Sequence, residues 1–419
     1  MSLIRADAKE IIEGIIRDNM PRKAVCDALE GRWPEGADGN VYMIAVGKAA
    51  WTMAQAAADF LGDGLVKGIV VTKYGHSMGA LPAAVEIYES GHPVSDGNTI
   101  LATQKCIELA ESLGAGDELL FLVSGGGSAL FEKPLEGISL EDIQDVTNQF
   151  LACGADIVEI NMVRKRLSAV KAGRFAKIAA PAKIFAVVLS DVLGDRLDSI
   201  ASGPAAADSS AVEDALRVVE KYKIKLTDLQ GKYLMEETPK TLDNVETVIT
   251  GSVRTLCESA AKAAKSLGYE PYVLTTSLNC EAREAGRFLA AVASDTQNER
   301  NSFKKPCAII AGGETVVTLK GDGKGGRNQE LALAAASGIA GFDETLIFSL
   351  GSDGTDGPTD AAGGMVDGYS LAKLKEQGLD ADKFLADNNS YYALKAVDGL
   401  IITGPTGTNV NDVAVVLCR

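Results

Sequence analysis

The sequence has few of the residues on which several common classes of site depend. Histidine occurs only twice, at His76 and His92, which argues against a histidine-rich metal centre. The seven cysteines are dispersed and form no Cys-x-x-Cys pair, so we expect reduced thiols in a cytoplasmic protein rather than a disulfide framework. No uninterrupted apolar stretch is long enough to span a membrane.

Positive charge is scarce relative to negative charge. The chain has 41 Lys and Arg residues against 57 Asp and Glu residues, which gives a formal net charge of −16. Because an acidic surface repels phosphodiester backbones, we expect neither nucleic acid nor an anionic membrane as a partner. Local cations can override the global field, so a small anionic molecule is still compatible with this composition, as is a homodimer.

Aromatic residues make up only 5% of the chain, whereas glycine occurs 44 times. Glycine in a chain rich in alanine, valine and leucine is typical of α/β proteins with many strand–loop–helix junctions. The apolar runs at residues 41–46, 118–123 and 183–189 are each followed by a turn and a helical pattern, which predicts a doubly wound parallel sheet. Residues 139–180 have a helical pattern throughout.

With 419 residues, the chain is expected to form two domains. We place the boundary between residues 240 and 241, and a second strand–helix series begins at Thr247. The last predicted strand, Val413–Leu417, follows its predecessor too closely for a crossover helix. We therefore expect it to be antiparallel, which makes the second, smaller α/β domain a mixed sheet.

The stretch from Ala311 to Glu330 has an arrangement suited to binding anions. A predicted strand at Thr315–Leu319 leads into a glycine-rich loop, and Arg327 stands where a helix begins. The loop GDGKGG also matches the dinucleotide pattern G-x-G-x-x-G, so an NAD(P)H-dependent enzyme is an alternative. Charged residues within the loop weaken that interpretation, because a dinucleotide turn brings bare backbone against pyrophosphate.

Two turns in the N-terminal half have a similar character. Gly47 and Lys48 follow the strand at residues 41–46 and place an ammonium group at a helix start, where a bound anion would stabilise it. A glycine nest, Ser124–Ser128, follows the strand at residues 118–123 but lacks the Walker arrangement. The structural alternatives are an exposed lysine and a tight strand-to-helix turn.

Carboxylates cluster after two predicted strands. Asp191 and Asp195 form one group, and Asp353, Asp356 and Asp360 form the other. Loop carboxylates suit Mg²⁺, which binds through one or two of them together with phosphate and water. The alternative is that they form turns and cap helices, which is the commoner use of aspartate in loops.

Glycine nests, neighbouring cations and loop carboxylates together are typical of a kinase. Phosphoryl transfer depends mainly on cations around the phosphoryl oxygens and on positioning, in a cleft between domains. Two other classes are open at this point: a nicotinamide-dependent reductase, and a non-catalytic protein that senses a small molecule. The absence of a basic docking segment makes the sensor the weaker of the two.

Seven segments occur in one order along nearly the whole chain and are specific in combination: VSGGGSAL, ADIVEIN-x-VRK-x-LS-x-VKAG-R, LSDVLGD-x-L-x-SIASGP, GGET-x-V, GKGGRNQE, GTDGPTDAAG and TGPTGTNV-x-D. They resemble the class II glycerate kinases. The resemblance implies a Rossmann-like N-terminal domain (residues 1–240) and a smaller C-terminal domain of the MOFRL type (residues 241–419). It further implies ATP-dependent, Mg²⁺-assisted phosphorylation of D-glycerate, usually at the 2-hydroxyl, to give 2-phosphoglycerate. Some members of the family are named hydroxypyruvate reductases, so an NAD(P)H-dependent hydroxypyruvate reductase is the alternative. In the segment VKAG, Ala172 departs from the expected pair of glycines.

The resemblance places the family's essential lysine at Lys48 and its essential arginine at Arg327. We expect Arg327 to stabilise charge on the transferring phosphoryl group and Lys48 to bridge phosphate and the substrate carboxylate. Asp191 or Asp353 would hold Mg²⁺ or take the hydroxyl proton, and Asp191 is the one we place among the catalytic residues. The residues expected to contact substrate or nucleotide are Gly47, Ser124, Gly125, Gly126, Gly127, Ser128, Glu314, Lys324, Gly325 and Asn328.

Overall fold

Helix α1 (Leu3–Asp18) begins the chain but packs with its C-terminal half. The computed structural model describes residues 2–30, 32–33, 40–190 and 196–419. One compact unit is Pro21–Thr250, and the other combines Met1–Met20 with Gly251–Arg419. This division lies ten residues beyond the expected boundary at 240/241. Among the described residues, no helix has both the length and the apolar character needed to cross a membrane.

The Pro21–Thr250 unit is built on a six-stranded sheet in the order β3-β2-β1-β4-β5-β6. The pairings among β1 to β5 are all parallel, as the sequence predicts. Apolar residues on both faces are buried because helices cover both sides of the sheet. The strands are β1 (Val41–Val46), β2 (Leu65–Lys73), β3 (Val85–Ser90), β4 (Glu118–Val123), β5 (Lys183–Leu189) and β6 (Val245–Gly251).

The edge strand β6 contains Thr247, from which the sequence analysis starts a second sheet. That expectation is wrong, because β6 lies beside β5 in the first sheet. The Asn244 carbonyl accepts the Ile184 N–H at 2.7 Å, which aligns the start of β6 with the start of β5. Hydrophobic patterning identifies a strand but does not specify its neighbour, so the sequence could not reveal this pairing.

Helices surround this sheet in several short segments. The expectation of continuous helix over residues 139–180 is wrong, because Gly154, with φ +68°, lies between two helices and the Asp156 side chain caps the second. The helices of the unit are α2 (Pro21–Glu30), α3 (Ala50–Leu61), α4 (Gly97–Glu111), α5 (Gly127–Leu130), α6 (Leu140–Ala152), α7 (Ile157–Arg164), α8 (Arg174–Ala179), α9 (Val212–Tyr222) and α10 (Asp228–Leu234).

The second unit contains a mixed sheet in the order β11-β10-β9-β12-β8-β7. The last strand, β12, is antiparallel to both of its neighbours, which confirms the expectation from its short connection. Strands β7 and β8 are parallel. The strands are β7 (Glu270–Leu278), β8 (Cys307–Gly313), β9 (Thr345–Gly351), β10 (Gly363–Asp367), β11 (Leu400–Ile401) and β12 (Asp412–Cys418).

The prediction of a strand at Thr315–Leu319 is wrong. Strand β8 already ends at Gly313, and the following segment makes one isolated bridge, between Val316 and Glu281. The helices of this unit, in addition to α1, are α11 (Val253–Ser266), α12 (Ala282–Gln297), α13 (Arg327–Ala335), α14 (Ser370–Glu376), α15 (Ala381–Ala386) and α16 (Ser390–Ala396).

Candidate active site

The strand order of the Pro21–Thr250 unit defines where a ligand would bind in it. From β1 the chain proceeds through β2 to β3 on one side, and then returns to place β4 on the other side of β1. In doubly wound sheets, ligands bind beyond the carboxyl ends of the strands at this reversal point. The residues after β1 are Gly47 and Lys48, and those after β4 are Ser124–Ser128. The structure therefore brings the two predicted N-terminal turns together.

These two turns are locked against each other by close backbone contacts. Gly47 has φ +121°, and a Cβ there would lie 2.2 Å from Ser124 Oγ, so no larger residue fits. The Lys48 N–H donates to the Gly125 carbonyl at 2.9 Å, and the Ala49 N–H donates to Ser124 Oγ at 3.1 Å. Ser124 is only 3% exposed, so it fixes the turn around Lys48 from within.

His92 belongs to the same site, although a histidine directly before a proline is more often a packed turn residue than a catalytic one. A Cβ on Gly126 would lie 3.0 Å from the His92 ring and 3.2 Å from Lys48 Cγ. Partial burial lowers the pKa of His92, and the positive charges of Lys48 and Lys73 lower it further. The feature of the sequence that could have indicated a functional role for His92 is its position directly after β3, in the turn Gly91–Asp96.

A buried ion pair supports the other end of the glycine nest. Lys171 Nζ donates to the Ser128 carbonyl at 2.8 Å and the Phe131 carbonyl at 3.2 Å, and it lies 3.5 Å from Glu132 Oε2. Burial lowers the pKa of Lys171 to about 8. The next residue, Ala172, has φ +54°, which accounts for the glycine expected at that position.

Arg327 is the first residue of α13 and lies at the edge of the second sheet where the carboxyl ends of β8 and β9 are found. Its guanidinium forms a bidentate pair with Asp412, with Nε 2.5 Å from Oδ2 and Nη2 3.0 Å from Oδ1. Its Nη1 is 3.1 Å from Glu314 Oε1. Burial disfavours the charged guanidinium, but Asp412 and Glu314 outweigh it and raise the pKa of Arg327. The guanidinium is thus always charged and held in place.

Asp412 is a residue that the sequence analysis did not select. As the first residue of β12 it lies opposite both Gly313 and Gly351, at the carboxyl ends of β8 and β9. It is 6% exposed, and burial raises its pKa while Arg327 opposes that effect. Asp412 is the last residue of the segment TGPTGTNV-x-D. The sequence therefore identified the segment but gave no reason to expect a functional role for this aspartate.

The N-terminus of α13 already has an anion of its own. Asp356 accepts hydrogen bonds from the Asn328 N–H at 3.2 Å and the Gln329 N–H at 2.9 Å. Burial raises the pKa of Asp356 to about 6, with a further contribution from Asp412 that the two N–H donors oppose. The helix-capping interpretation of Asp356 therefore holds, and the positive end of this helix is occupied by the protein itself.

The glycine-rich loop before α13 is likewise satisfied by protein groups. The N–H groups of Lys320 and Gly321 donate to Asn388 Oδ1, at 2.7 and 3.1 Å. The Gly323 N–H donates to the Asp387 carbonyl at 3.0 Å, and the Lys324 N–H donates to Asn389 Oδ1 at 3.1 Å. Because these donors are engaged, the match to G-x-G-x-x-G gives no support to a dinucleotide here.

The remaining expected contacts differ in their accessibility. Glu314 is 44% exposed at its side chain, and Lys324 places its ammonium group 4.5 Å from the Tyr391 ring. Gly325 packs against Ser390, because a Cβ there would lie 2.3 Å from the serine Oγ. Asn328 is 1% exposed, and its Oδ1 accepts from Ser349 Oγ at 2.6 Å. We infer that Asn328 positions Arg327 rather than contacting a ligand.

Two carboxylates were proposed for Mg²⁺. Asp191 lies outside the described residues, as does Asp195. Asp353 follows β9, and its Oδ1 accepts the Thr355 N–H at 2.9 Å in a local turn. Among the described residues, no group of three potential ligands could hold a metal. A single half-exposed carboxylate fits a hard cation that takes most of its oxygen ligands from phosphate and water.

Two family models match separate parts of the chain. A family model described as a domain of unknown function, DUF4147, matches residues 7–233, and the MOFRL family model matches residues 307–412. The crystal structure of a glycerate kinase from Thermotoga maritima superimposes with a TM-score of 0.95 at 52% identity, and the alignment covers 99% of each chain.

Curated relatives extend over nearly the whole chain. A D-glycerate 2-kinase of Thermotoga maritima is 53% identical over 408 residues, which is 97% of each chain. A putative hydroxypyruvate reductase of Agrobacterium vitis is 37% identical and covers 98% of this chain and 93% of its own. The chain therefore belongs to the glycerate kinase family that has a C-terminal MOFRL domain.

Proposed function

We propose that this protein is a glycerate 2-kinase. It transfers the terminal phosphoryl group of ATP to the 2-hydroxyl of D-glycerate and releases ADP, 2-phosphoglycerate and a proton. The observation that carries the proposal is Arg327, a permanently charged guanidinium fixed by Asp412 at a loop edge. A fixed cation of this kind stabilises the charge of a transferring phosphoryl group. The enzyme is proposed to act in the cytoplasm and to form a homodimer.

In the Pro21–Thr250 unit, Lys48 would bind the anionic groups of ATP or glycerate. Its backbone is fixed by the glycine nest at Gly125, so its ammonium group starts from a defined position. Burial lowers the pKa of the neighbouring His92, so at neutral pH this ring is uncharged and suited to accept or share a proton.

Mg²⁺ would neutralise the phosphate oxygens of ATP when it is bound. Asp353 or Asp191 would contribute an oxygen ligand, and either of the two is proposed as the group that takes the hydroxyl proton. Gly351 brings the surrounding oxygens together, because a Cβ there would lie 3.3 Å from Asp412 Oδ1 and 3.4 Å from Asp353 Oδ1. The donor set is entirely oxygen, as Mg²⁺ prefers.

The reductase is the alternative, since a related protein has that name. Reduction of hydroxypyruvate would need a surface for NAD(P)H, and the sequence feature that suggested one is the glycine loop. Its N–H groups at residues 320, 321, 323 and 324 are bonded to residues 387–389. The kinase is therefore the better supported of the two.

One experiment separates these functions. Purified protein is incubated with D-glycerate and Mg-ATP, and separately with hydroxypyruvate and NADH or NADPH, and the products are identified by NMR. We expect 2-phosphoglycerate in the first reaction. Consumption of NAD(P)H without ADP formation would replace the kinase with the reductase, and 3-phosphoglycerate would correct the position of transfer.

The role of Arg327 has its own test. Arg327→Ala should reduce kcat by on the order of 10³-fold, as the loss of a phosphoryl-stabilising arginine does. Arg287→Ala is the matched control, because Arg287 lies in the same unit with its side chain 53% exposed. Turnover of Arg327→Ala close to that of the control would remove Arg327 from the mechanism.

A further inference from the structure

Helix α7 presents two polar side chains whose hydrogen-bonding atoms are buried and unused. Nε of Arg164 and Oδ1 of Asn161 are both shielded from solvent, and neither has a hydrogen-bond partner among the described residues. No carboxylate in the described part of the chain forms an ion pair with Arg164. A buried donor or acceptor without a partner costs free energy, so each such atom requires an explanation.

These two residues lie on one face of the helix. Asn161 and Arg164 are three positions apart, which places side chains one above the other along an α-helix. Both are half-buried, in contrast to the fully packed Ile160 and Val163 of the same helix. The two residues are thus neighbours that are half-buried as a whole, while Nε of Arg164 and Oδ1 of Asn161 are themselves shielded from solvent.

The segment that follows α7 runs alongside the glycine nest. The Leu167 carbonyl accepts the Leu135 N–H at 3.0 Å, and the Ala169 N–H donates to the Lys133 carbonyl at 2.7 Å. Two residues further on, Lys171 is bonded to the Ser128 carbonyl at 2.8 Å. The segment that follows α7 is therefore tied, through Lys171, to the turn that closes the candidate site in this unit.

Charge around this point is unbalanced toward positive. Burial first, and then the positive charge of Arg164, lower the pKa of Lys171, whereas Glu132 raises it. Arg164 and Lys171 are thus electrostatic neighbours, and Lys171 is paired with the buried Glu132, which is 1% exposed. Two cations and one anion leave a net charge that a bound anion would neutralise.

We propose that Arg164 and Asn161 form the subsite for the hydroxy-acid substrate, in which the guanidinium binds its carboxylate and Asn161 Oδ1 accepts a hydrogen bond from its hydroxyl. A guanidinium pairs with a carboxylate through parallel N–H donors, and an amide oxygen is a suitable acceptor for a hydroxyl. The ligand class is a 2-hydroxycarboxylate, and the assignment rests on the proposed kinase function. No covalent step is involved.

The test compares full-length Arg164→Met with the wild type and with Arg217→Met. Arg217 is the matched control, because it lies in the same unit on α9 with its side chain 73% exposed. Affinity for D-glycerate is measured by calorimetry with Mg²⁺ and a non-hydrolysable ATP analogue, alongside KM for both substrates. Loss of a charge-assisted hydrogen bond should weaken glycerate binding roughly 10- to 100-fold in Arg164→Met and leave the KM for ATP unchanged.

Two further variants keep the proposal testable if Arg164→Met fails to fold. Arg164→Lys should weaken glycerate binding by less than the methionine variant, because it keeps the charge but loses the parallel donors. Asn161→Leu has a similar volume without the acceptor and should raise the KM for glycerate roughly 5- to 10-fold. Wild-type values in both variants would overturn the subsite.

Failure of the subsite is distinguishable from failure of the kinase. If the wild type forms no phosphoglycerate, the proposed function itself is wrong. If the wild type is active and Arg164→Met binds glycerate as tightly as Arg217→Met does, only the subsite is wrong. An increase confined to the KM for ATP would also overturn it, because Arg164 would then bind the nucleotide.

Discussion

Arg327 is held by two carboxylates that differ in exposure, and this difference gives them separate roles. The Asp412 side chain is 8% exposed and contacts two nitrogens of the guanidinium, so it fixes the plane of the group. The Glu314 side chain is 44% exposed and contacts only Nη1. A phosphoryl oxygen can compete with Glu314 for that nitrogen, whereas displacing Asp412 would leave a buried carboxylate unpaired.

We predict that Asp412→Asn lowers kcat roughly 10- to 100-fold. Asparagine has a similar shape, but its amide nitrogen is a donor and cannot accept a hydrogen bond. One of the two guanidinium N–H groups that now donate to Asp412 would therefore lose its acceptor, and Arg327 would lose its fixed orientation. Steady-state kinetics with D-glycerate and Mg-ATP measure the effect, and Asp382→Asn on the exposed face of α15 is the control. Unchanged kcat in Asp412→Asn would show that the orientation of Arg327 does not depend on this pair.

Among elements, α13 shows how much of the site the sequence could predict. The sequence predicts a strand, a glycine loop, a cation and a helix in this order. The structure contains the loop, the cation Arg327 and the helix, but not the strand at Thr315–Leu319. Several N–H groups expected to bind an anion are instead engaged by Asp356, Asp387 and Asn388. Those partners come from distant parts of the chain, and local patterning contains no information about them.

The carboxylate at the start of α13 makes a testable contribution to stability. The pKa of Asp356 is about 6 in the folded protein, above its ordinary value, so the folded state binds this proton more tightly than the unfolded state does. Stability from Asp356 is therefore greatest at low pH and is lost as the pH rises toward 6. The difference between the pKa of about 6 and the ordinary pKa of an aspartate corresponds to about 3 kcal/mol of unfolding free energy. Of this stabilisation, about 1 kcal/mol is lost between pH 5 and pH 7.

We predict that Asp356→Asn removes this pH dependence. The difference in unfolding free energy between wild type and variant should shift against the wild type by about 1 kcal/mol from pH 5 to pH 7. Urea unfolding at several pH values in that range measures the difference. A constant difference, or one that shifts in favour of the wild type, would mean that Asp356 is ionised throughout.

At the scale of the whole molecule, the two units are not continuous in sequence, because the first helix belongs to the unit formed by the C-terminal half of the chain. The expected N-terminal domain, residues 1–240, includes α1. In the structure its buried face, which includes Ile11, packs with α11, and a Cβ on Gly14 would lie 3.0 Å from Ala263 Cβ. The Tyr269 hydroxyl donates to Asp7 Oδ2 at 2.6 Å. Helical periodicity identified the buried face of α1 but not the surface that covers it.

This arrangement predicts which unit loses stability when α1 is altered. Ile11 is 0% exposed, so Ile11→Ala should cost about 3 kcal/mol, whereas Leu3→Ala on the same helix should cost less than about 0.5 kcal/mol because Leu3 is 59% exposed. Both tryptophans, Trp33 and Trp51, lie within Pro21–Thr250, so their fluorescence reports on that unit alone.

Thermal unfolding is therefore followed by tryptophan fluorescence and by calorimetry on the same samples. For Ile11→Ala we expect a calorimetric transition at lower temperature than in the wild type, and a fluorescence transition at the wild-type temperature. The reverse pattern, with fluorescence alone shifted, would assign α1 to the Pro21–Thr250 unit. Equal shifts by both methods would contradict separate unfolding of the two units, because residues 1–20 would then stabilise both of them.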